Sequence, residues 1–271
     1  MINQIKSIIP RPIGYLVREI YLFFRGYLYF GNKIYCPLCG HSFRKMIPGG
    51  FNLEVNQRLK VIGAGRRKNV VCPACASSDR DRLLFVYFEN NQNLLTSETR
   101  VLHIAPEPEL SRYLSRKVNS YYVSGMKYHE GFYYSRNVVL FDILHLPFEN
   151  NAFGLVVCNH VLEHIENEKL ALSEIMRVLK PGGSAILQVP WSPLLETTYE
   201  NSSVSTKADR EKYFGQFDHV RLYGKDYPNR LQLAGFEVNV SSFAKSNISK
   251  DYAVKIAINP DETIFVASKP L

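Results

Sequence analysis

The sequence of 271 residues has no uncharged apolar stretch long enough to span a membrane. Its first apolar stretch is broken by Arg18, Glu19 and Arg25, so neither a membrane-spanning helix nor a secretory signal is predicted. Cysteine is also scarce, with five residues in the chain. We therefore expect a cytoplasmic protein with reduced thiols, in which paired cysteines indicate metal ligands before disulfides.

Acidic residues are sparse in the first third of the chain. Residues 1–99 contain 14 Lys and Arg against 6 Asp and Glu, whereas residues 100–271 contain 19 of each, so the first part carries the whole net charge of +8. Such an excess indicates a polyanion or a membrane surface as partner for that part. It is equally typical of the basic surface of a small metal-binding module.

Four of the five cysteines form two C-x-x-C pairs, in "CPLCG" at 36–40 and "CPACASSDR" at 72–80. Two such knuckles supply the four thiolates of a closed, tetrahedral structural zinc site. The segment between them is rich in turns, so the metal would contribute much of the folding energy. The predicted zinc ligands are Cys36, Cys39, Cys72 and Cys75. The predicted zinc-ribbon module, with a linking helix, covers residues 32–95, and Cys158 is expected in the core of an apolar strand.

The segment before the first knuckle predicts an amphipathic helix within residues 1–31. Pro12 suits a first helical turn, and apolar residues recur at helical spacing. Three arginines spaced by seven form one basic stripe on this helix: Arg11, Arg18 and Arg25. We expect the helix to pack on the second domain or on another subunit. The alternative is peripheral contact with an anionic membrane.

From residue 96 onward, predicted strands and helices alternate, which favours a parallel sheet covered by helices on both faces. Ligands of such sheets bind beyond the carboxyl ends of the strands. The stretch "VLHIAPEPEL" at 101–110 is the first strand and its turn. Nucleotide-binding turns at this place are usually rich in glycine, and this one has none. Ala105 is the smallest residue available there, and the flanking prolines limit the entropy lost on folding.

The second domain resembles the class I S-adenosylmethionine-dependent methyltransferases. The motifs that carry the resemblance are "FDILHLPF" at 141–148, "CNHVLEHI" at 158–165 and "RVLKPGG" at 177–183, in the expected order. The "LHIAPE" and "GQFDHVRLYG" stretches and the zinc module resemble some bacterial members. The resemblance implies a seven-stranded, mostly parallel, Rossmann-like sheet over residues 96–271.

The resemblance also implies S-adenosylmethionine as cofactor. The implied contacts are His103, Ala105, Glu107, Met126, Asp142, Asn159 and His160, with Glu107 near the cofactor's ammonium group and Asp142 near its adenine. Three positions depart from the family pattern. His103 stands where an acid ends the first strand, Met126 and Lys127 stand where an acid usually grips the ribose, with Glu130 the nearest acid, and Gly154 replaces an Asp.

A hydroxyl acceptor requires proton removal by a group that titrates near neutral pH, which histidine does. The catalytic candidates are His160 after the fourth strand and His219, with Asp218, near the end of a long insertion over 191–224. Arg221 is a candidate for holding an anionic group. The predicted function is methyl transfer to an oxygen or nitrogen of a small molecule or saccharide. An RNA methyltransferase and a non-catalytic scaffold are the alternatives.

Overall fold

The computed structural model describes residues 11–118, 122–126 and 138–271 of the chain. The first ten residues of the predicted N-terminal helix therefore lie outside the described residues. The ribbon module is built from two short antiparallel hairpins that bring the cysteine knuckles together. Its elements are α1 (Arg11–Leu28), β1 (Phe30–Cys36), β2 (His41–Phe43), β3 (Ile47–Gly49), α2 (Glu54–Arg58) and β4 (Arg67–Val71).

The second part of the chain forms the predicted seven-stranded sheet, in the order β12-β13-β9-β8-β5-β6-β7. All neighbouring pairs from β9 to β7 are parallel, and β13 alone runs opposite to its neighbours. The strands are β5 (Val101–Ile104), β6 (Tyr122–Met126), β7 (Val138–Leu140), β8 (Phe153–Asn159), β9 (Leu179–Gln188), β12 (Glu237–Ser241) and β13 (Ile264–Ser268). The predicted fold class is thus confirmed.

Helices cover both faces of this sheet because the strand side chains alternate between two apolar clusters. Leu102 and Cys158 point to one cluster, and Val101 and Val157 point to the other. Cys158 is fully buried, as expected of a core residue. The covering helices are α3 (Asp79–Asn90), α4 (Pro108–Lys117), α5 (Glu168–Val178), α7 (Tyr227–Leu233), α8 (Phe243–Asn247) and α9 (Lys250–Lys255).

Helix α3 connects the ribbon to the sheet. Ser78 caps its first turn through a reciprocal pair of hydrogen bonds with Asp81, the capping-box arrangement. Its apolar residues, Leu83 and Leu84 among them, belong to the core of the second domain. Arg82 is fully buried between them and donates to the carbonyl oxygens of Asn69, Ser77, Ile256 and Ala257. The linking helix predicted for the ribbon module is therefore shared by both parts.

The insertion over 191–224 folds against the ribbon module. It contains β10 (Tyr199–Glu200), α6 (Lys207–Phe214) and β11 (Arg221–Leu222). The Asn56 amide donates to the carbonyl oxygen of Gly215, 3.1 Å away. Gly215 ends α6 at a φ of 85°, and a Cβ there would lie 2.1 Å from Asn56 Oδ1. Glycine is required by both the backbone conformation and the close approach. The two segments thus enclose a space above the sheet.

Helix α1 leaves most of its apolar side chains exposed. Leu22 is buried, and Arg25 donates to the carbonyl oxygens of Cys72 and Pro73, so it faces the knuckle rather than continuing an exposed basic stripe. The expectation that the apolar face packs on the second domain is therefore wrong for this chain on its own. The exposed residues are Leu16, Val17, Ile20, Tyr21, Phe23, Phe24, Tyr27 and Leu28. None of the helices in the described ranges is long and apolar enough to cross a membrane.

The carboxyl group of Glu262 lies where the ribbon meets the second domain, and we expect it to make stability depend on pH. It is 2% exposed and Oε2 has no hydrogen-bond partner among the described residues. Burial, opposed by the charge of Arg80, raises the pKa of Glu262 to about 7. The folded state then binds more protons than the unfolded state between about pH 4.5 and 7, so this group lowers stability as the pH rises through that window.

We expect the substitution Glu262→Gln to remove this loss of stability at higher pH. Its free energy of unfolding should exceed that of the wild type by about 1–3 kcal/mol at pH 8 and by much less at pH 5. Urea unfolding at both pH values measures the difference. Asp261→Asn, at the exposed neighbour, is the control and should show no such pH dependence. An equal effect of Glu262→Gln at both pH values would contradict the assignment.

Candidate cofactor, acceptor and metal sites

The turn after β5 brings its backbone close to β6, as is expected of a turn that binds a cofactor. Ala105 has a φ of 50°, in the left-handed region that favours glycine, and its N–H donates to the carbonyl oxygen of Gly125 in β6 over 2.9 Å. A non-glycine residue is strained there, and such strain is common where a chain meets a ligand. Helix α4 begins three residues later, with Pro108 in its first turn. Glycine is therefore replaced by alanine in the same backbone role.

Glu107, just before α4, is held by residues on two strands. His103 Nε2 lies 2.7 Å from Glu107 Oε2, and Asn159 Nδ2 donates to Oε1 over 3.2 Å. Burial alone would raise the pKa of Glu107, but the hydrogen bond and the charge of His103 outweigh it and lower the pKa. A quarter of the side chain is still exposed. Glu107 is thus a fixed carboxylate at the carboxyl edge of the sheet.

Most of the residues that the sequence predicts to contact the cofactor lie at this edge of the sheet, but His103 lies beneath it. His103 is fully buried, with its second ring nitrogen 2.8 Å from the Tyr122 hydroxyl, so it reaches the site only through Glu107. Met126 and Asn159 end β6 and β8 on either side of β5. Asp142 follows β7 and accepts from the N–H of Leu144 over 3.0 Å. Lys127 and Glu130 lie outside the described residues.

A cavity of about 360 Å³ lies next to this edge, between the ribbon, the loop after β8 and the insertion. Half of the residues that line it have polar or charged side chains. The ribbon side contributes Gly50, Phe51, Asn56, Gly63, Ala64, Gly65, Arg67, Val70 and Arg80. The other side contributes His160, Glu163, His164, Pro190, Gly215, Gln216 and His219. Neither part of the chain forms this cavity alone.

His160 and Glu163 form a buried pair on the wall of the cavity. His160 has a φ of 52°, and its Nδ1 lies 3.2 Å from Glu163 Oε1. Burial, together with the charge of Arg80, lowers the pKa of His160 to about 4. Burial would raise the pKa of Glu163, but contact with His160 and the nearby His164 and His219 lowers it to about 2. The site therefore contains a neutral imidazole beside a carboxylate.

The predicted catalytic residues in the insertion occupy different places. His219 is buried and lines the cavity, whereas the Asp218 carboxylate is 42% exposed and pairs with His164, with Oδ2 3.3 Å from Nδ1. Arg221 does not hold a ligand, since it is buried and donates to Glu200 and to the carbonyl oxygens of Leu162, Ile165 and Glu166.

Two arginines of the ribbon also line the cavity, and the sequence did not predict their position there. Arg67 forms a two-bond pair with Asp79 and also donates to the carbonyl oxygens of Ala64 and Gly65. Arg80 donates to the carbonyl oxygen of Gly63. The glycines in "GAGRRKN" were the available signal, because glycine often marks a close approach of two backbones. Arg67 is thus held by Asp79 and the loop backbone, and Arg80 is the arginine of the two that would favour a partly anionic acceptor.

The four ribbon cysteines form a cluster that fits zinc. One sulfur from each lies within 4.8 Å of the others, and Cys36–Cys75 and Cys39–Cys72 sulfurs are 3.8 Å apart. Three of the four are buried, and the cluster is the centre of the ribbon's small apolar core. Four convergent thiols in a module with so little other core are the donor set of a structural zinc site.

Comparison with known proteins confirms the resemblance for part of the chain. Residues 90–187 match the family model described as a methyltransferase domain. Demethylmenaquinone methyltransferase of Staphylococcus carnosus is 31% identical over 116 residues, 38% of this chain and 48% of that protein. An uncharacterised protein of Methanocaldococcus jannaschii is 54% identical over 48 residues, 18% of this chain and 21% of that protein.

The chain therefore spans half or less of the length of these curated relatives. Among solved structures, the YcgJ protein of Bacillus subtilis aligns over 69% of this chain and 98% of its own, with 13% identity and a TM-score of 0.46.

We expect Cys39→Ser to lower the zinc content of the purified protein by about one atom per chain, because a structural zinc site needs all four ligands. Elemental analysis of protein prepared without chelator measures it. Cys158→Ala, which removes the fully buried cysteine of β8, is the matched control and should leave the zinc content unchanged. Zinc that is retained in full by Cys39→Ser would contradict the assignment.

Proposed function

We propose that this chain, whose residues 90–187 belong to the methyltransferase-domain family, transfers a methyl group from S-adenosylmethionine to a small hydrophilic acceptor. One observation carries the proposal. A fixed carboxylate, Glu107, lies at the carboxyl edge of the sheet between β5 and β8, directly beside a polar cavity. Open sheets of this type bind their ligands at that edge.

The cofactor, when bound, supplies a methyl group on an electrophilic sulfonium. Glu107 would accept hydrogen bonds from its ammonium group, held in place by His103 and Asn159. The Ala105 turn would bring the backbone close to the cofactor, and Asp142 would lie near the adenine. These residues bind and orient, which is the main contribution an enzyme makes to an in-line displacement.

The acceptor would occupy the cavity on the ribbon side. Curated relatives are named as quinone methyltransferases, but the residues that line this cavity favour a different acceptor. Arg80, which lines this cavity and donates to one carbonyl oxygen, would attract a phosphate, carboxylate or sugar acid. His160 at the end of β8 would contact the reacting oxygen or nitrogen. We therefore favour a hydrophilic small molecule or a saccharide over a lipid-soluble quinone.

The cofactor proposal predicts that Glu107→Gln weakens S-adenosylmethionine binding by about 1–3 kcal/mol, or roughly 5- to 150-fold in Kd, since a charge-assisted hydrogen bond is lost. Calorimetric titration measures the affinity, and exposed Glu98→Gln is the control. A wild-type protein that releases no heat at millimolar cofactor would favour a non-catalytic scaffold. Labelled methyl transfer into host RNA rather than small molecules would favour an RNA methyltransferase.

We also propose that the protein is cytoplasmic and contacts anionic membranes peripherally through α1. Phe23 is 71% and Tyr27 77% exposed, on a helix that is fixed to the ribbon by the hydrogen bonds of Arg25 to the carbonyl oxygens of Cys72 and Pro73. An apolar helix face of this kind on a basic module is typical of helices that lie in a membrane interface.

The prediction is that the protein sediments with vesicles rich in phosphatidylglycerol and not with phosphatidylcholine vesicles. The double variant Phe23→Ser, Phe24→Ser should lose this binding and remain folded, because both rings are exposed. Phe51→Ser, at an exposed phenylalanine of the ribbon, is the control. Equal sedimentation of the double variant and the wild type would argue against the proposal, as would self-association through α1 without vesicles.

A further inference from the structure

Three side chains beside the acceptor cavity converge on one point. Glu163 and His164 come from the short 3₁₀ turn after β8 (Leu162–His164), and His219 comes from the turn before β11. One ligand atom from each lies within 4.8 Å of the others. We propose that Glu163, His164 and His219 bind a divalent first-row transition-metal ion, at a second metal site distinct from the four cysteines.

The carboxylate of Glu163 is buried, and a bound cation would stabilise it. It is 1% exposed, and neither oxygen accepts a hydrogen bond of ordinary geometry from the described residues. His160 Nδ1 lies 3.2 Å from Glu163 Oε1. A buried carboxylate has lost its hydration and needs polar partners in exchange. A metal ion would supply such a partner.

Each of the two histidines has an acceptor beside its Nδ1 atom. His164 Nδ1 lies 3.3 Å from the Asp218 carboxylate, and His219 Nδ1 lies 3.3 Å from the carbonyl oxygen of Phe214. If each Nδ1–H donates to its acceptor, the lone pair of each Nε2 is free for a metal. Ligating histidines characteristically donate their second nitrogen to a carboxylate or a carbonyl in this way. The two rings lie edge to face, with centroids 4.8 Å apart.

The two segments that carry these ligands are fixed to each other. Buried Arg221 donates to the carbonyl oxygens of Leu162 and Ile165, on either side of the first two ligands. The N–H of Val220 donates to the carbonyl oxygen of Glu163 over 2.9 Å. The donors are therefore preorganised by backbone contacts, as a metal site requires.

The donor set defines the class of metal. Two imidazoles and one carboxylate suit zinc, ferrous iron or cobalt better than magnesium or calcium, which prefer oxygen ligands alone. All three residues also line the cavity, so an ion held by them would keep coordination positions open toward it. Structural zinc sites, in contrast, are closed by four protein ligands. The proposal concerns metal binding and stands whether or not methyl transfer is the reaction.

The test uses the full chain with its cysteine site filled. Protein is equilibrated with Zn²⁺ and desalted, and zinc is measured per chain. We expect about two zinc atoms in the wild type and about one in Glu163→Gln and His219→Gln. His145→Ala, which removes an exposed histidine outside the cluster, is the control and should keep both. Magnesium in place of zinc should give no second equivalent.

Thermal unfolding separates ligation from a purely structural role. Added Zn²⁺ should raise the melting temperature of the wild type and not that of Glu163→Gln. His164→Ala gives the same comparison if another variant does not fold. A wild type with zinc only at the cysteines, or variants that bind zinc as the wild type does, would overturn the proposal.

Discussion

The buried guanidinium of Arg82 is the interaction on which the rest of the structure depends. It donates to two carbonyl oxygens of the ribbon and two of the segment after α9, so one side chain joins both parts of the chain. A guanidinium can do this because its donors form a planar fork and it stays charged. Helix α3, which carries Arg82, also packs in the sheet core. The ribbon is thereby held against the sheet edge as a wall of the cavity.

The cavity is lined by residues of both the ribbon and the second domain rather than by one domain alone. The sheet edge supplies His160, which follows Asn159 at the end of β8. The ribbon supplies Arg67 and Arg80, and the insertion supplies His219. If the cysteines hold zinc as proposed, its loss would affect the cavity as well as the ribbon, because both arginines donate to ribbon carbonyl oxygens.

The sequence predicts the sheet, the cysteine cluster and the meeting of residues at the carboxyl ends of β5 and β8, because each depends on a local pattern. Strand alternation, C-x-x-C spacing and the ends of β5 and β8 all lie within short segments. It does not predict that His103 is enclosed beneath Glu107 or that Arg221 is a backbone clamp, since both depend on contacts between distant segments. The presence of the ribbon arginines and His160 around one cavity, and the exposure of α1, also depend on the three-dimensional packing.

Most of the cavity wall lies outside the segment that matches the methyltransferase-domain model. Of the sixteen residues that line the cavity, only His160, Glu163 and His164 fall within residues 90–187. The segment that matches the methyltransferase-domain model thus contains the carboxyl ends of β5 and β8 and few of the residues that line the cavity. Under the proposed function, substitutions in the ribbon or the insertion would change which acceptor fits, while the residues proposed to hold the cofactor stay the same.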